Sequence, residues 1–166
     1  MKYKATIITI SDKGSRGERK DESGPAIENI LKKYYVIEKT FIIPDDKETI
    51  THTIKEVIDS KGVDLVVTTG GTGVGKRDNT PEATRMAIEK ELPGFSEIMR
   101  VESYKITPHG IISRGICGIR KESIIINLPG SPKAAVECLN FVLDAIAHAL
   151  DKVRGDETEC GQALTD

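Results

Sequence analysis

The chain lacks the residue patterns that build disulfide frameworks or zinc sites. Its 166 residues include three cysteines, Cys117, Cys138 and Cys160, an odd number with no CxxC pair. They read as free thiols of a reducing cytoplasm. The histidines, His52, His109 and His148, are scattered with no metal-ligand spacing between them, and count as structural or surface residues. No apolar run approaches the ~20 residues that cross a bilayer. The apolar segment 5–10, just after Met1-Lys2-Tyr3-Lys4, is too short for a signal-peptide core and has no small-residue cleavage site behind it. The expectation is a cytoplasmic protein without a membrane partner. One-sided charge is missing as well: the formal net charge is −2, which argues against nucleic-acid binding through bulk charge. There is no internal repeat, low-complexity tract or clear linker, and no Ser/His/Asp or Cys/His set that would supply a protein nucleophile.

What is present suits one domain with a full core. Hydrophobic residues make up 38% and charged residues 30%, and a chain of this length buries about two thirds of its unfolded surface. Residues 5–10 (Ala-Thr-Ile-Ile-Thr-Ile) and 64–69 read as buried strands, 36–43 as a further strand, and 110–119 and 123–127 as two more. Between them the spacing predicts helices over 25–34, from Asp45 or Asp46 to Gly62, from an N-cap at Thr80 with Pro81 first in the helix, and over 95–104. The last helix starts at Ser131-Pro132, with Val136, Leu139, Leu143, Ile146, Leu150 and Val153 recurring at steps of three and four. Strands alternating with helices imply an α/β fold, a three-layer arrangement of a mostly parallel sheet with helices on both faces. The domain is expected over 1–154, with 155–166 a polar, acidic tail.

Ligands of such sheets bind beyond the carboxyl ends of the strands, where loops 11–23, 44–46, 69–80 and 128–132 fall. The third loop carries four glycines in six residues, Gly70, Gly71, Gly73 and Gly75. Glycines let backbone N–H groups approach an anion closely, so Gly70, Gly71, Thr72 and Gly73 are candidate phosphate ligands. Neither familiar phosphate motif fits. Gly70, Gly75 and Lys76 have the Walker spacing, but Arg77 stands where Ser or Thr must hold magnesium; Gly71 and Gly73 open a dinucleotide fingerprint, but Lys76 occupies its third glycine. A plain strand-to-helix turn is the bland alternative. Asp78 is either a magnesium ligand or a turn residue. Asp45, with Glu48 three residues on, reads first as a helix cap. Ser11 and Asp12 bind a ligand or solvate a loop. Ser113 and Arg114 interrupt an apolar stretch, at a strand end or facing a pocket. Asn127, Pro129, Gly130, Ser131 and Lys133 form a strand-to-helix junction whose free N–H groups favour anions.

Taken in order, several motifs resemble the molybdenum cofactor biosynthesis family. They are Thr69-Gly-Gly-Thr-Gly, Arg77-Asp78-x-Thr80-Pro81-Glu82-Ala83, Pro93-Gly94-Phe95 and Asn127-x-Pro-Gly-x-Pro, joined by Ser11-Asp12, Asp21-x-Ser-Gly-Pro, Ile43-Pro-Asp-Asp and Ile112-Ser-Arg. The resemblance covers roughly residues 4–153. Glu102-Ser-x-Lys-Ile-Thr-Pro and Gly118-Ile-Arg favour its molybdopterin adenylyltransferase branch, which includes the matching domain of gephyrin-like proteins. The resemblance implies Mg²⁺-dependent transfer of AMP from ATP to the molybdopterin phosphate, with pyrophosphate leaving. It implies that Asp45 and Asp78 are the functional, metal-holding aspartates, which reverses the cap-first reading of Asp45. It also implies a homotrimer and a downstream metal-insertion protein as a partner. The alternatives are a non-catalytic molybdopterin-binding scaffold of the sister branch and a nucleotide hydrolase on the same domain.

Overall fold

The computed structural model describes residues 3–156. Along the chain run β1 (Lys4–Ile10), α1 (Asp12–Ser15), α2 (Ser23–Leu31), β2 (Val36–Ile43), α3 (Lys47–Asp59), β3 (Leu65–Thr69), α4 (Thr80–Ala87), β4 (Lys90–Glu91), α5 (Pro93–Ile106), a 3-10 turn (Pro108–Ile112), β5 (Cys117–Arg120), β6 (Ser123–Leu128) and α6 (Pro132–Val153). Cys160 and the tail from residue 157 lie outside the described residues.

The six strands form one sheet in the order β2-β1-β3-β6-β5-β4. The first four of these pair in parallel, and β5 runs antiparallel to both its neighbours. Helices cover both faces, giving the three-layer, mostly parallel α/β sheet that the alternation of elements implies. Strand alternation splits the core in two. Ala5, Ile7, Leu65, Val67, Ile124 and Ile126 pack with Ile27 and Leu31 of α2 and with Leu139, Ile146 and Leu150 of α6. Ile8, Ile10, Val66 and Ile125 face the other way, onto Ile50 and Ile54 of α3 and Ala83 and Ala87 of α4. Each fully buried Ile or Leu contributes about 1.5–3 kcal/mol through apolar burial, so these two layers hold the central strands rigid.

β2 and β3 leave β1 on opposite sides. A crevice therefore opens beyond the carboxyl ends of β1 and β3, the usual ligand position in such sheets.

Several elements differ from the sequence expectation. The stretch 110–116 is not strand. Pro108 opens a 3-10 turn that folds back on α5, so closely that a Cβ at Gly110 would lie 2.6 Å from Ser103 Cβ. Ile111 and Ile112 are exposed there rather than in the core. The two-residue β4 carries no periodic signal. The α2 helix starts and ends earlier than 25–34, leaving Tyr34 exposed. On α6 the buried face runs through Ala135, Cys138, Leu139, Val142, Ile146 and Leu150, because small Ala135 and Cys138 pack closest and Val136 and Leu143 are left at the margin.

Candidate functional site

Three loops meet over the crevice, and their own hydrogen bonds shape it. Ser11 caps α1, its Oγ accepting from Gly14 N at 3.0 Å. Asp12 accepts from Asp45 N at 3.0 Å and takes a two-point bond from Arg77, at 3.0 Å each. Asp12 thus straps loop 44–46 to the loop carrying Asp78, and both its oxygens are occupied. The Arg77 hydrogen bond holds its carboxyl below the usual range.

The neighbouring aspartates divide their roles. Asp46 is the cap of α3, its Oδ2 accepting from Thr49 N at 2.8 Å. Asp45 is not a cap. Its backbone is pinned by Asp12, and its side chain is buried against the glycine loop. Oδ1 accepts from Asn79 N at 3.1 Å, and among the described residues Oδ2 receives no hydrogen bond. Burial first, and then the charges of Asp78 and Asp12, push the Asp45 carboxyl above its ordinary value, partly offset by the Asn79 N–H. A carboxylate so placed gains from a nearby cation.

The glycine loop needs its glycines at two points. Gly70 has φ +100 and Gly71 φ +64. A Cβ on Gly71 would strike Thr80 Oγ1 and come within 2.7 Å of Asp45 Oδ2. Thr80 does not cap α4 as the sequence suggests. Its hydroxyl donates to Gly70 O at 2.8 Å, and Asn79 takes the cap position. Asp78 Oδ2 accepts from Gly75 N at 2.7 Å, so Asp78 is a turn residue as well as a carboxylate at the crevice. Arg114 grips the loop from behind, donating to Gly73 O at 2.6 Å, Asp78 O at 2.8 Å and the Glu82 carboxylate, while its backbone N–H donates to Thr72 O at 2.8 Å. Replacing Arg114 with Met removes these side-chain bonds at a partly exposed position. We expect a loss of about 1–2 kcal/mol of unfolding free energy, read by urea titration. Hydrogen exchange at Gly75 should quicken by at least about ten-fold as the loop opens locally.

Two cavities result, one on each side of the loop after β6. The first, of about 420 Å³, is polar and lined by Ser11, Asp45, Thr69, Gly70, Gly71, Asp78, Gly130 and Ser131. The N-termini of α2 and α6 also border it, at Ser23 and at Ser131-Pro132. Arg19 and Lys20 stand in its wall. Sequence reasoning did not single out these two; their signal was a basic pair inside the loop leaving β1. Asp21 belongs to the Asp21-x-Ser-Gly-Pro motif. It anchors the same loop, accepting from Thr9 Oγ1 at 2.7 Å and Gly24 N at 3.0 Å. The second cavity, of about 220 Å³, lies between α5 and α6 and is mostly apolar, with Met99, Ser113, Gly115, Asn127, Pro129 and Cys138 among its walls.

Of the residues singled out in sequence, Asp12, Thr72, Gly73, Arg114 and Lys133 line neither cavity. Lys133 points to solvent beside Glu137, 3.9 Å away. Asn127 is a buried strut: its Nδ2 donates to Thr68 and Thr84 hydroxyls at 2.9 Å each, and its Oδ1 accepts from Ile116 N at 3.1 Å. It fixes the loop that separates the cavities.

The site's chemistry is charge placement. The described thiols are buried, and burial pushes Cys117 up to about 12 and Cys138 upward as well, so neither is a thiolate nucleophile at neutral pH. Among the described residues no three His, Cys, Asp or Glu side chains gather into a self-contained metal cage. Asp45 and Asp78 on one cavity instead form a two-carboxylate oxygen set. Such a set suits a hard cation whose remaining positions are filled by water and phosphate oxygens. Among the described residues no helix is long and apolar enough to cross a membrane.

Comparison with known proteins gives a consistent picture. The sequence model of the MoCF_biosynth family, described as a probable molybdopterin binding domain, matches residues 6–148. Over 153 residues the chain is 44% identical to the molybdopterin adenylyltransferase of Helicobacter pylori strain J99, covering 90% of this chain and 87% of that one. The molybdopterin adenylyltransferase of Escherichia coli K12 is 42% identical over 142 residues, 84% of this chain and 73% of that one. Among solved structures, the molybdopterin biosynthesis enzyme MoaB from Thermus thermophilus superposes with a TM-score of 0.88 at 42% identity, over 93% of this chain and 98% of that one.

Proposed function

This chain belongs to the MoCF_biosynth family, and we infer that it is a molybdopterin adenylyltransferase of molybdenum cofactor biosynthesis. An oxygen of the molybdopterin phosphate attacks the α-phosphorus of ATP. The new P–O bond forms adenylyl-molybdopterin as the bond to the β-phosphate breaks and pyrophosphate leaves. The substrate supplies the nucleophile, in keeping with a site that has none of its own. Such transfers run mainly on positioning and charge neutralisation.

One observation carries the reading: a polar cavity and an apolar cavity meet across the loop held by Asn127. The polar one fits a polyphosphate. The backbone N–H of Gly71, the N-termini of α2 and α6, and the Arg19 and Lys20 side chains would neutralise its charge, while the Gly70 N–H is held by Leu128 O. Ser11, Gly130 and Ser131 complete that wall. The apolar cavity fits the flat pterin, with the Ser113 hydroxyl on its wall. The two reacting phosphates then meet near Pro129 and Gly130. Thr72, Gly73 and Arg114 act by holding the glycine loop, and Asp12 by strapping Arg77.

Asp45 and Asp78 would hold Mg²⁺, which fits their oxygen donors and the unbonded Asp45 Oδ2. Bound there, the cation would neutralise charge developing on the transferring and leaving phosphates. Asp45 and Asp78 themselves keep the cation's face of the cavity anionic, while Asn79 N–H fixes the Asp45 rotamer.

Exposed Ile98, Val101 and Tyr104 on α5, with Ile111 and Ile112 beside them, support a contact with another protein surface, and the homotrimer that the family resemblance implies would supply it. Light scattering should return three times the 18.1 kDa chain mass. A monomer would end that part of the reading. The downstream partner is a protein that accepts the adenylylated pterin for metal insertion.

The activity is tested by following pyrophosphate release. Release should require ATP, Mg²⁺ and molybdopterin together. Turnover of ATP without pterin would replace the transferase with a hydrolase. Tight pterin binding with no turnover would leave a scaffold.

A further inference from the structure

Two arginines lack the partner that the others have. Of the eight in the chain, six pair with carboxylates: Arg16, Arg77, Arg85, Arg114, Arg120 and Arg154. Among the described residues Arg19 and Arg100 have no carboxylate partner. Each lines one of the two cavities, Arg19 the polar one and Arg100 the apolar one. Arg19 is exposed, but Arg100, on α5, is part-buried. A cation withdrawn from water without a counter-charge is unfavourable.

The Arg100 guanidinium is nonetheless fixed. Its Nη1 donates to Gly115 O at 3.0 Å and Ser113 O at 3.5 Å, and both residues belong to the cavity wall. Nε and Nη2 have no hydrogen-bond partner among the described residues. The sealed side-chain atoms without a partner are Thr6 Oγ1, Tyr35 Oη and Ser96 Oγ, so these two nitrogens keep accessible surface. Nε–H and one Nη2–H run parallel, the fork that takes two oxygens of one phosphate. Glu137, the carboxylate on this wall, lies beside Lys133 instead, 3.9 Å away. The fork also stands near the end of β6. A Cβ on Gly115 would lie 3.1 Å from Asn127 O, and Asn127 leads into the Pro129-Gly130 loop between the cavities.

We propose that Arg100 binds the phosphate of the pterin substrate, its Nε and Nη2 taking two non-ester oxygens and leaving another to attack across the loop. This rests on the reading of that cavity as the pterin site. An anion there supplies the counter-charge that the fold withholds. A pterin without its phosphate leaves the fork empty and is rejected.

The test uses the full chain and two anaerobic probes, molybdopterin and molybdopterin dephosphorylated by phosphatase, with binding measured by calorimetric titration. Wild type should prefer the phosphorylated form by at least about 30-fold, the scale of a charge-assisted hydrogen-bonded pair. In Arg100→Met the preference should fall to within about three-fold, with affinity for the dephosphorylated form nearly unchanged. Arg100→Lys keeps the charge without the fork and should fall between the two; it carries the test if the Met variant does not fold. The KM for molybdopterin should rise in both variants, with the KM for ATP within about two-fold of wild type. A preference retained in both variants, or equal weakening of both probes, overturns the inference and makes Arg100 a brace for residues 113–115. A loss of oligomeric mass in light scattering overturns it too, since the guanidinium would then serve a contact between copies. If wild type binds ATP but neither probe, the reading of the cavity fails, and the inference with it.

Discussion

Asp45→Asn should give a folded protein whose adenylyl transfer is slowed by at least about 100-fold, the scale of losing one preorganised charge stabiliser. The substitution keeps the shape. The amide oxygen can still accept from Asn79 N, as Asp45 Oδ1 does at 3.1 Å, and the backbone bond from Asp45 N to Asp12 is untouched. What changes is Oδ2, which faces the polar cavity without a hydrogen bond and is the oxygen free to take a cation. Stability should move the opposite way. The folded-state carboxyl titrates above its ordinary value, because burial and the nearby Asp78 and Asp12 disfavour its charge. Ionisation therefore costs wild type stability as pH rises from the unfolded value near 4 through the folded one. Below that window both side chains are neutral and the two proteins should melt alike. Above it the Asn variant should melt at the same or a higher temperature. Pyrophosphate release at saturating Mg²⁺, with thermal midpoints at pH 3.5 and 7, checks both arms. Normal turnover in the variant would remove Asp45 from the metal site.

The sequence was most legible where one physical effect dominated. Runs such as Ile7-Ile8 and Leu65-Val66-Val67 are buried on both faces, so nothing competes with their β-branched, apolar reading, and β1 and β3 fall where expected. The Ser131-Pro132 start of α6 is equally plain, since cap and fixed φ agree. Legibility failed where neighbours were chemically equivalent. Asp45 and Asp46 offer the same capping group, and only the strap from Asp12 decides that Asp46 caps while Asp45 turns inward. Thr80 looked like a cap because its competing acceptor, Gly70 O, is ten residues away and adjacent only after folding. Ile111 and Ile112 looked like strand because apolar residues are read as core, yet Pro108 and the close approach of Gly110 to Ser103 send them to the surface. Arg19 and Lys20 looked like loop charge. Their place on the polar cavity depends on Asp21 holding the loop to Thr9 and Gly24. The glycine loop lay between these cases: its backbone demands were readable, its grip by Arg114 was not.

Gly70→Ala should cost roughly 3–5 kcal/mol of unfolding free energy, from a strained φ and a backbone overlap together. Gly70 sits at φ +100, which L side chains rarely adopt, and a Cβ there would run into the backbone carbonyl of Ile10. Neither partner can give. Gly70 N donates to Leu128 O at 3.2 Å, and Gly70 O accepts from Thr80. Ile10 ends β1 in register with Ile43 of β2. The residue thus joins the carboxyl ends of β1, β3 and β6 to the start of α4, and a shift at one end strains all four. Against a typical total of about 5–15 kcal/mol, the loss should be plain in urea unfolding and in expression. Gly71→Ala separates fold from function. Its φ of +64 is tolerable for an L residue at about 1–2 kcal/mol, but its Cβ would press on Thr80 Oγ1 and reach 2.7 Å from Asp45 Oδ2. The Gly71 variant should therefore stay folded and lose turnover, while the Gly70 variant loses the fold first. If Gly70→Ala unfolds within about 1 kcal/mol of wild type, the three-strand junction is softer than its hydrogen bonds imply, and the glycine loop could not hold Asp45 and Asp78 in place for phosphate chemistry.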